Sequence, residues 1–465
     1  MKRCSVFLLV VFVLTAGMAT ASSGVLSPVE QAEFSARRQA LMEEIQDGIA
    51  VLRGAPVPSD DHRFFQYRDF YYLTGVTIPD CWLIVDGLEQ ESLLFFSMDE
   101  KTGRGEGLDP RLISDPSKST GIEKVYPAEE FSTRLARMLE DRPVVYTPFS
   151  CQEGKRETSN EKFRAKQKNQ LLDVWDGRLT RELQFVKILR EKFLDIDVRD
   201  CSPVLWRMRL HKSEHEIDLI RDSARIAVKG HLEFMRSIQP GLSEKEMAAL
   251  FEYMCAKEGA QDQAYEVIIM SGPNHWFGHY HIYDRVLDDD DFVILDAGPD
   301  LDYYKSDVSS TLPAGGRFSD RQREIYQVAY EVHQLCLSLY RPGISLGEIG
   351  RKVEAYMDEK GYDKAGYQGI FRWGGYNHPI GMTTHDVMPA VEGPDAPLKP
   401  GYVFACDINV PYAEEELGIR IEDTVVITED GCEILSSGLP RSIDEIEEFM
   451  KQDGLIQALK AAGRY

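Results

Sequence analysis

Positive charge is scarce in this chain: 53 Lys and Arg stand against 77 Asp and Glu, for a formal net charge of −24. A surface of that sign repels phosphate backbones and anionic lipid, which argues against nucleic acid and membranes as partners. Cysteine is also sparse, eight in 465 residues with no C-x-x-C spacing. That disfavours a disulfide framework and leaves room for one or two bridges in an oxidising compartment. Beyond the N-terminal segment no stretch approaches eighteen uninterrupted apolar residues, so no membrane span is expected. Low-complexity tracts are lacking as well, and 43% hydrophobic with 28% charged residues describes a folded globular chain. Its length exceeds one ordinary core, which predicts two domains.

The N-terminus has its own grammar. Lys2 and Arg3 precede an apolar run from Val6 to Leu14, and Ala19-Thr20-Ala21 forms an A-x-A cleavage site. The pattern predicts a signal peptide over residues 1–21 and a protein exported to the periplasm or beyond. Cleavage would remove Cys4, Lys2 and Arg3, taking the charge from −24 to −26 and leaving seven cysteines.

The mature chain reads as α/β (α+β) in two parts, 28–205 and 206–455. In the first, a helix from Glu30 to Gln46 leads to the strand "GIAVLRG". "DFYYLTGVTIPDCWLIVDG" then offers a strand, a turn at Pro79-Asp80 and a second strand ending at Asp86-Gly87. "SCQEGKRETSNEKFRAKQKN" reads as a polar, loop-like excursion. Past Leu210 the pattern changes: Ile217, Ile220, Ala224, Ala227 and Phe234 have the spacing of a long amphipathic helix.

The second part carries a faint repeat. "QPGLSEKEMAALFEYMCAKEG" and "RPGISLGEIGRKVEAYMDEKG" each hold a Pro-Gly break, a Ser-x-x-Glu capping box, a helix and a terminal glycine. Generic helix grammar would look similar. What favours a true repeat is the strand after each helix, "DFVILD" ending at Asp296 and "YVFACD" ending at Asp407. Two similar halves would bring these strand-terminal acids together.

Other acids join them. Asp307 follows Asp296 by eleven residues in a stretch that reads as a neighbouring strand, and "NHPIGMTTHD" holds His378 and His385 around a glycine turn. In "GIRIEDTVVIT" strand alternation puts Arg420 and Glu422 on one face. Singly these residues are ordinary turn caps, core histidines or surface ion pairs. Together, four carboxylates in one cleft must be neutralised by cations or stay partly protonated. Oxygen-rich ligation with one imidazole suits manganese, cobalt, iron or zinc in a pair better than a lone structural zinc.

"LDAGPDLDYYKSDVSSTLP", "NHPIGMTTHD", "PGYVFACD" and "GIRIEDTVVIT" resemble the metal-binding blocks of the pita-bread metallopeptidases, aminopeptidase P and prolidase in particular, and "RDFYYLTGVTIPD" resembles the N-terminal domain of that subgroup. The resemblance implies a creatinase-like αβ domain before a pseudo-symmetric pita-bread catalytic domain. It implies two divalent ions, manganese foremost, on Asp296, Asp307, His378, Asp407 and Glu422. His279 and His385 match the family's substrate-facing histidines, and Arg420 the arginine beside the last ligand. Asp407 stands where the family usually has a glutamate, and Gly374 where several aminopeptidase P sequences have a further histidine. The implied activity is removal of an N-terminal residue that precedes proline, by a metal-activated water, in a homodimer or tetramer. A metal-free binding protein of the same fold, an Xaa-Pro dipeptidase and a creatinase-like C–N hydrolase are the alternatives.

Overall fold

The computed structural model describes residues 25–58, 64–97, 99–105, 107–152, 160–276, 278–362, 377–387, 395–412, 415 and 417–465. The expected signal segment and Gly374 lie outside the described residues. Among the described residues no helix is long and apolar enough to cross a membrane, and all seven cysteines are free thiols.

The N-terminal part is built on six strands: β1 (Ile49–Arg53), β2 (Trp82–Asp86), β3 (Glu91–Phe95), β4 (Lys124–Tyr126), β5 (Val144–Thr147) and β6 (Asp197–Asp200), in the order β4-β3-β2-β1-β5-β6. The first helix, Pro28–Glu44, starts at a complete capping box made by Ser27 and Glu30. Two segments differ from their sequence reading. "RDFYYLT" is a helix, Arg68–Thr74, and not a strand. Short aromatic runs do not distinguish a buried strand from a buried helix, and here Gly75 at φ 65 closes the turn by donating its N–H to Tyr71 O. Within the polar excursion, Asn160–Leu172 is also helical. Its Lys, Gln, Ala, Arg and Leu are strong helix formers, so polarity there marks an exposed helix and not a loop.

The helix Glu214–Ser237 buries Ile217, Ile220, Ala224, Ala227 and Phe234 as its periodicity predicts. The two repeat helices are Glu244–Lys257 and Leu346–Lys360. Their leads match in detail. Gly241 and Gly343 sit at φ 87 and 88, and their N–H groups donate to Leu287 O and Leu398 O. Ser243 and Ser345 cap the helices and bridge Val286 and Pro397.

A small ribbon pairs β10 (Pro299–Leu301) with both β7 (Asp262–Gln263) and β11 (Tyr304–Lys305). The larger sheet is antiparallel, in the order β13 (His378–Pro379), β14 (Val403–Tyr412), β15 (Leu417–Ile427), β12 (Ser309–Pro313), β9 (Phe292–Asp296) and β8 (Ile268–Ser271), with β16 (Cys432–Ile434) on β15. One apolar cluster joins the two parts: Phe70 and Leu73 share it with Ile380, Met382, Val403 and Ala405.

Candidate metal centre

Register alone assembles the acids. Asp296 pairs with Ser309, Ser309 with Glu422, and Glu422 with Asp407, a single row across four strands. Directly opposed residues point to the same side of a sheet, so Asp296, Glu422 and Asp407 share one face. His378 pairs with Ala405, two positions from Asp407, and so joins that face. Two details depart from expectation. Asp407 lies in the middle of β14, which continues to Tyr412, instead of ending a strand. Asp307 lies in the link between β11 and β12, two residues before the row.

All these acids are buried: Asp296 and Asp307 are each 4% exposed, Glu422 2% and Asp407 7%. Donor atoms fall within 4.8 Å of one another in two triads, Asp296/Asp307/Glu422 and Asp307/His378/His385. Asp307 is common to both. His378 Nε2 lies 3.5 Å from Asp307 Oδ2 and 3.7 Å from Glu422 Oε1. Nδ1 lies 3.3 Å from Pro379 O, a carbonyl that can take its proton and leave Nε2 as the ring nitrogen for a cation. The His385 ring stacks on His378 at 3.9 Å. His385, matched above to a substrate-facing role, is thus within ligand range. Asp407, one methylene short of a glutamate, falls outside both triads among the described residues. Its Oδ1 and Glu422 Oε1 are buried with no hydrogen-bond partner.

The electrostatics favour cations at this site. Burial pushes the Asp307 carboxyl well above the carboxylate range, and Glu422 and Asp296 push it further. Burial, then Asp407 and Asp296, do the same to Glu422. Asp407 is pushed up to about 6, mainly by burial and against the opposing pull of Arg420. Among the described residues Arg420 is the arginine whose guanidinium meets these carboxylates, ion-paired with Asp296 while its Nη2 donates to Gly278 O at 3.1 Å. That bond ties the exposed loop bearing His279 to the cage. Four carboxylates, one guanidinium and two orphaned oxygens fit divalent cations on Asp296, Asp307, His378 and Glu422, with Asp407 beside them.

Tyr265 is the residue the sequence does not announce. Buried in the site, its hydroxyl contacts both Asp296 Oδ1, at 2.5 Å, and Asp307 Oδ1. One phenolic proton serves one carboxylate at a time, so the two aspartates share this donor. Behind Glu422, Arg441 Nη2 donates to its backbone O at 2.6 Å and to Asp423 Oδ1 at 2.7 Å. Ser309 Oγ donates to Glu422 Oε2 at 2.7 Å.

An acid-and-imidazole cage on one face of this sheet, with a smaller αβ unit packed against it, defines a metal-dependent hydrolase. Residues 218–429 match the model of metallopeptidase family M24, and residues 34–146 that of the aminopeptidase P N-terminal domain. The chain is 30% identical over 461 residues to the Xaa-Pro aminopeptidase of Escherichia coli, covering 91% of this chain and 99% of that protein. The structure matches Escherichia coli aminopeptidase P with the inhibitor Pro-Leu at a TM-score of 0.73 and 27% identity, over 92% of this chain and 99% of the other. A zinc-substituted form of that enzyme with product matches at the same TM-score, identity and coverage. The chain belongs to metallopeptidase family M24, on its aminopeptidase P side, and is a metallo-aminopeptidase.

Proposed function

We propose that this enzyme is an Xaa-Pro aminopeptidase, releasing the first residue of peptides whose second residue is proline. The carrying observation is the buried Asp296/Asp307/Glu422 triad with His378 Nε2 3.5 Å from Asp307 and 3.7 Å from Glu422, a donor set that suits divalent ions. Such ions supply Lewis acidity and a water that is nucleophilic near neutral pH. Asp296, Asp307, His378 and Glu422 hold them. Asp407, beside the ligands with an Oδ1 that makes no hydrogen bond, is suited to take up and return a proton. His385 and His279 donate hydrogen bonds to the developing oxyanion and the leaving nitrogen, while Arg420 fixes Asp296. Manganese is the proposed native metal. Its support is the hard, oxygen-rich donor set.

The same reading places the domain boundary near residue 205, supported by the first sheet ending at Asp200. It also includes assembly as a homodimer or tetramer, by resemblance to the family, and export to the periplasm or beyond, supported by the Lys2/Arg3, Val6–Leu14 and Ala19-Thr20-Ala21 pattern. Mature protein supplied with manganese should release the N-terminal residue from an Xaa-Pro peptide panel. Asp307→Ala and His378→Ala should each lower kcat at least about a thousandfold, since each removes a donor from the shared triads. Undiminished turnover in both variants would refute the site.

A further inference from the structure

A buried arginine on the connecting helix ties the N-terminal unit to the turn beside the metal centre. Arg209, at the end of the helix Ser202–Leu210, is 3% exposed. Its Nη1 donates to Asp69 Oδ1 at 2.7 Å and its Nη2 to Asp386 Oδ1 at 2.5 Å. Asp69 belongs to the helix Arg68–Thr74 of the N-terminal unit, and Asp386 directly follows His385. The guanidinium therefore links the two parts of the fold at the residue next to the stacked imidazoles.

The turn it grips is tightly specified. Asp386 also accepts from Thr383 Oγ1 at 3.0 Å and lies 3.6 Å from Lys212 Nζ. Thr383 Oγ1 contacts His385 O at 3.1 Å. A Cβ on Gly381 would meet Asp386 Oδ2 at 2.1 Å, so only glycine lets the carboxylate pack across the turn. Arg68, beside Asp69, donates its Nε to Met382 O at 3.1 Å. Although burial acts to raise it, the Arg209 and Lys212 charges hold Asp386 below its ordinary value. A buried charge group of this kind stabilises little compared with an apolar replacement, and its best-attested use is to fix register.

We propose that Asp69, Arg209 and Asp386 are positioning residues through which the N-terminal unit holds the 380–387 turn, so that the His385 ring stays aligned on His378. None of the three touches the reacting atoms in this arrangement. Their loss acts on kcat, because His385 serves the transition state in the function proposed above, on which this kinetic part rests. The effect on the turn itself does not depend on that function.

The test compares Arg209→Met, Arg209→Lys and Asp69→Asn/Arg209→Met with the wild type. The double variant leaves Asp386 with Lys212 and no unpaired second acid, which keeps the buried charge balanced. In it, amide hydrogen exchange at residues 380–387 should quicken at least tenfold while β9, β12 and β15 stay protected. On an Xaa-Pro peptide its kcat should fall at least tenfold with KM within twofold and metal content unchanged. Arg209→Lys, which retains the charge but reaches one acid at a time, should fall between the double variant and the wild type. Wild-type exchange and kcat in the folded double variant would overturn the proposal. Should that variant not fold, wild-type exchange in Arg209→Lys overturns it equally. A wild type inert on every Xaa-Pro peptide refutes the function and leaves the exchange result to judge the relay.

Discussion

At the scale of single residues, the centre is held by groups that take no part in ligation. Tyr265 contacts both aspartates, Ser309 orients Glu422, and Arg441 grips the Glu422 backbone. Partners of this kind set the orientation and basicity of ligands, and losing one commonly costs roughly 10–100-fold in metal affinity. Tyr265→Phe removes only a hydroxyl from a buried ring, so fold and volume are kept. Calorimetric titration of the metal-stripped variant should show affinity weaker by about that factor, and wild-type affinity would remove Tyr265 from the site. No pattern in the sequence marks this tyrosine. By contrast Asp296, Asp307, His378, Asp407, Glu422 and Arg420 stand in stretches whose resemblance to the family's metal-binding blocks singles them out.

At the scale of elements, the two halves of the catalytic part repeat one device, a Pro-Gly turn whose backbone bridges a neighbour and a serine that caps the following helix. Ser243 makes a complete box with Glu246, whereas Ser345 only accepts from the Glu348 N–H. Ser243→Ala and Ser345→Ala should each cost about 1 kcal/mol in denaturant unfolding, the former more. The 380–387 turn is less forgiving. Gly381→Ala should destabilise by about 1–3 kcal/mol, from the overlap with Asp386, and also lower activity. A melting temperature and turnover equal to wild type would show that the turn relaxes freely. Element type was misread where local cues conflict. Residues 68–74 have strand-like composition, but the Gly75 turn and their packing against Ile380 and Met382 make them a helix.

At the scale of the whole molecule, the acids of the cage make stability depend on metal and pH together. Asp307 and Glu422 lie well above their ordinary range and Asp407 near 6. In the metal-stripped fold these groups keep protons that the unfolded chain releases at about pH 4. Their stabilisation is therefore complete below that pH and is lost as pH rises through the folded values. Chelator-treated protein should melt at a falling temperature from about pH 4 to above pH 6, and Asp407→Asn should remove part of the slope. A divalent ion at pH 7 should restore the loss. A flat profile in both proteins would mean that the acids are not buried as a group. Chain order and periodicity by themselves marked the acids and histidines as candidates and determined the amphipathic helix Glu214–Ser237 and the paired helix caps, because each depends on residues within a few turns of one another. Only the tertiary structure decided that Asp296, Ser309, Glu422 and Asp407 form one row, that Tyr265 bridges two acids, and that Arg209 joins Asp69 to Asp386. Those contacts depend on long-range strand pairing and on how deeply each charge is buried, and local spacing encodes neither.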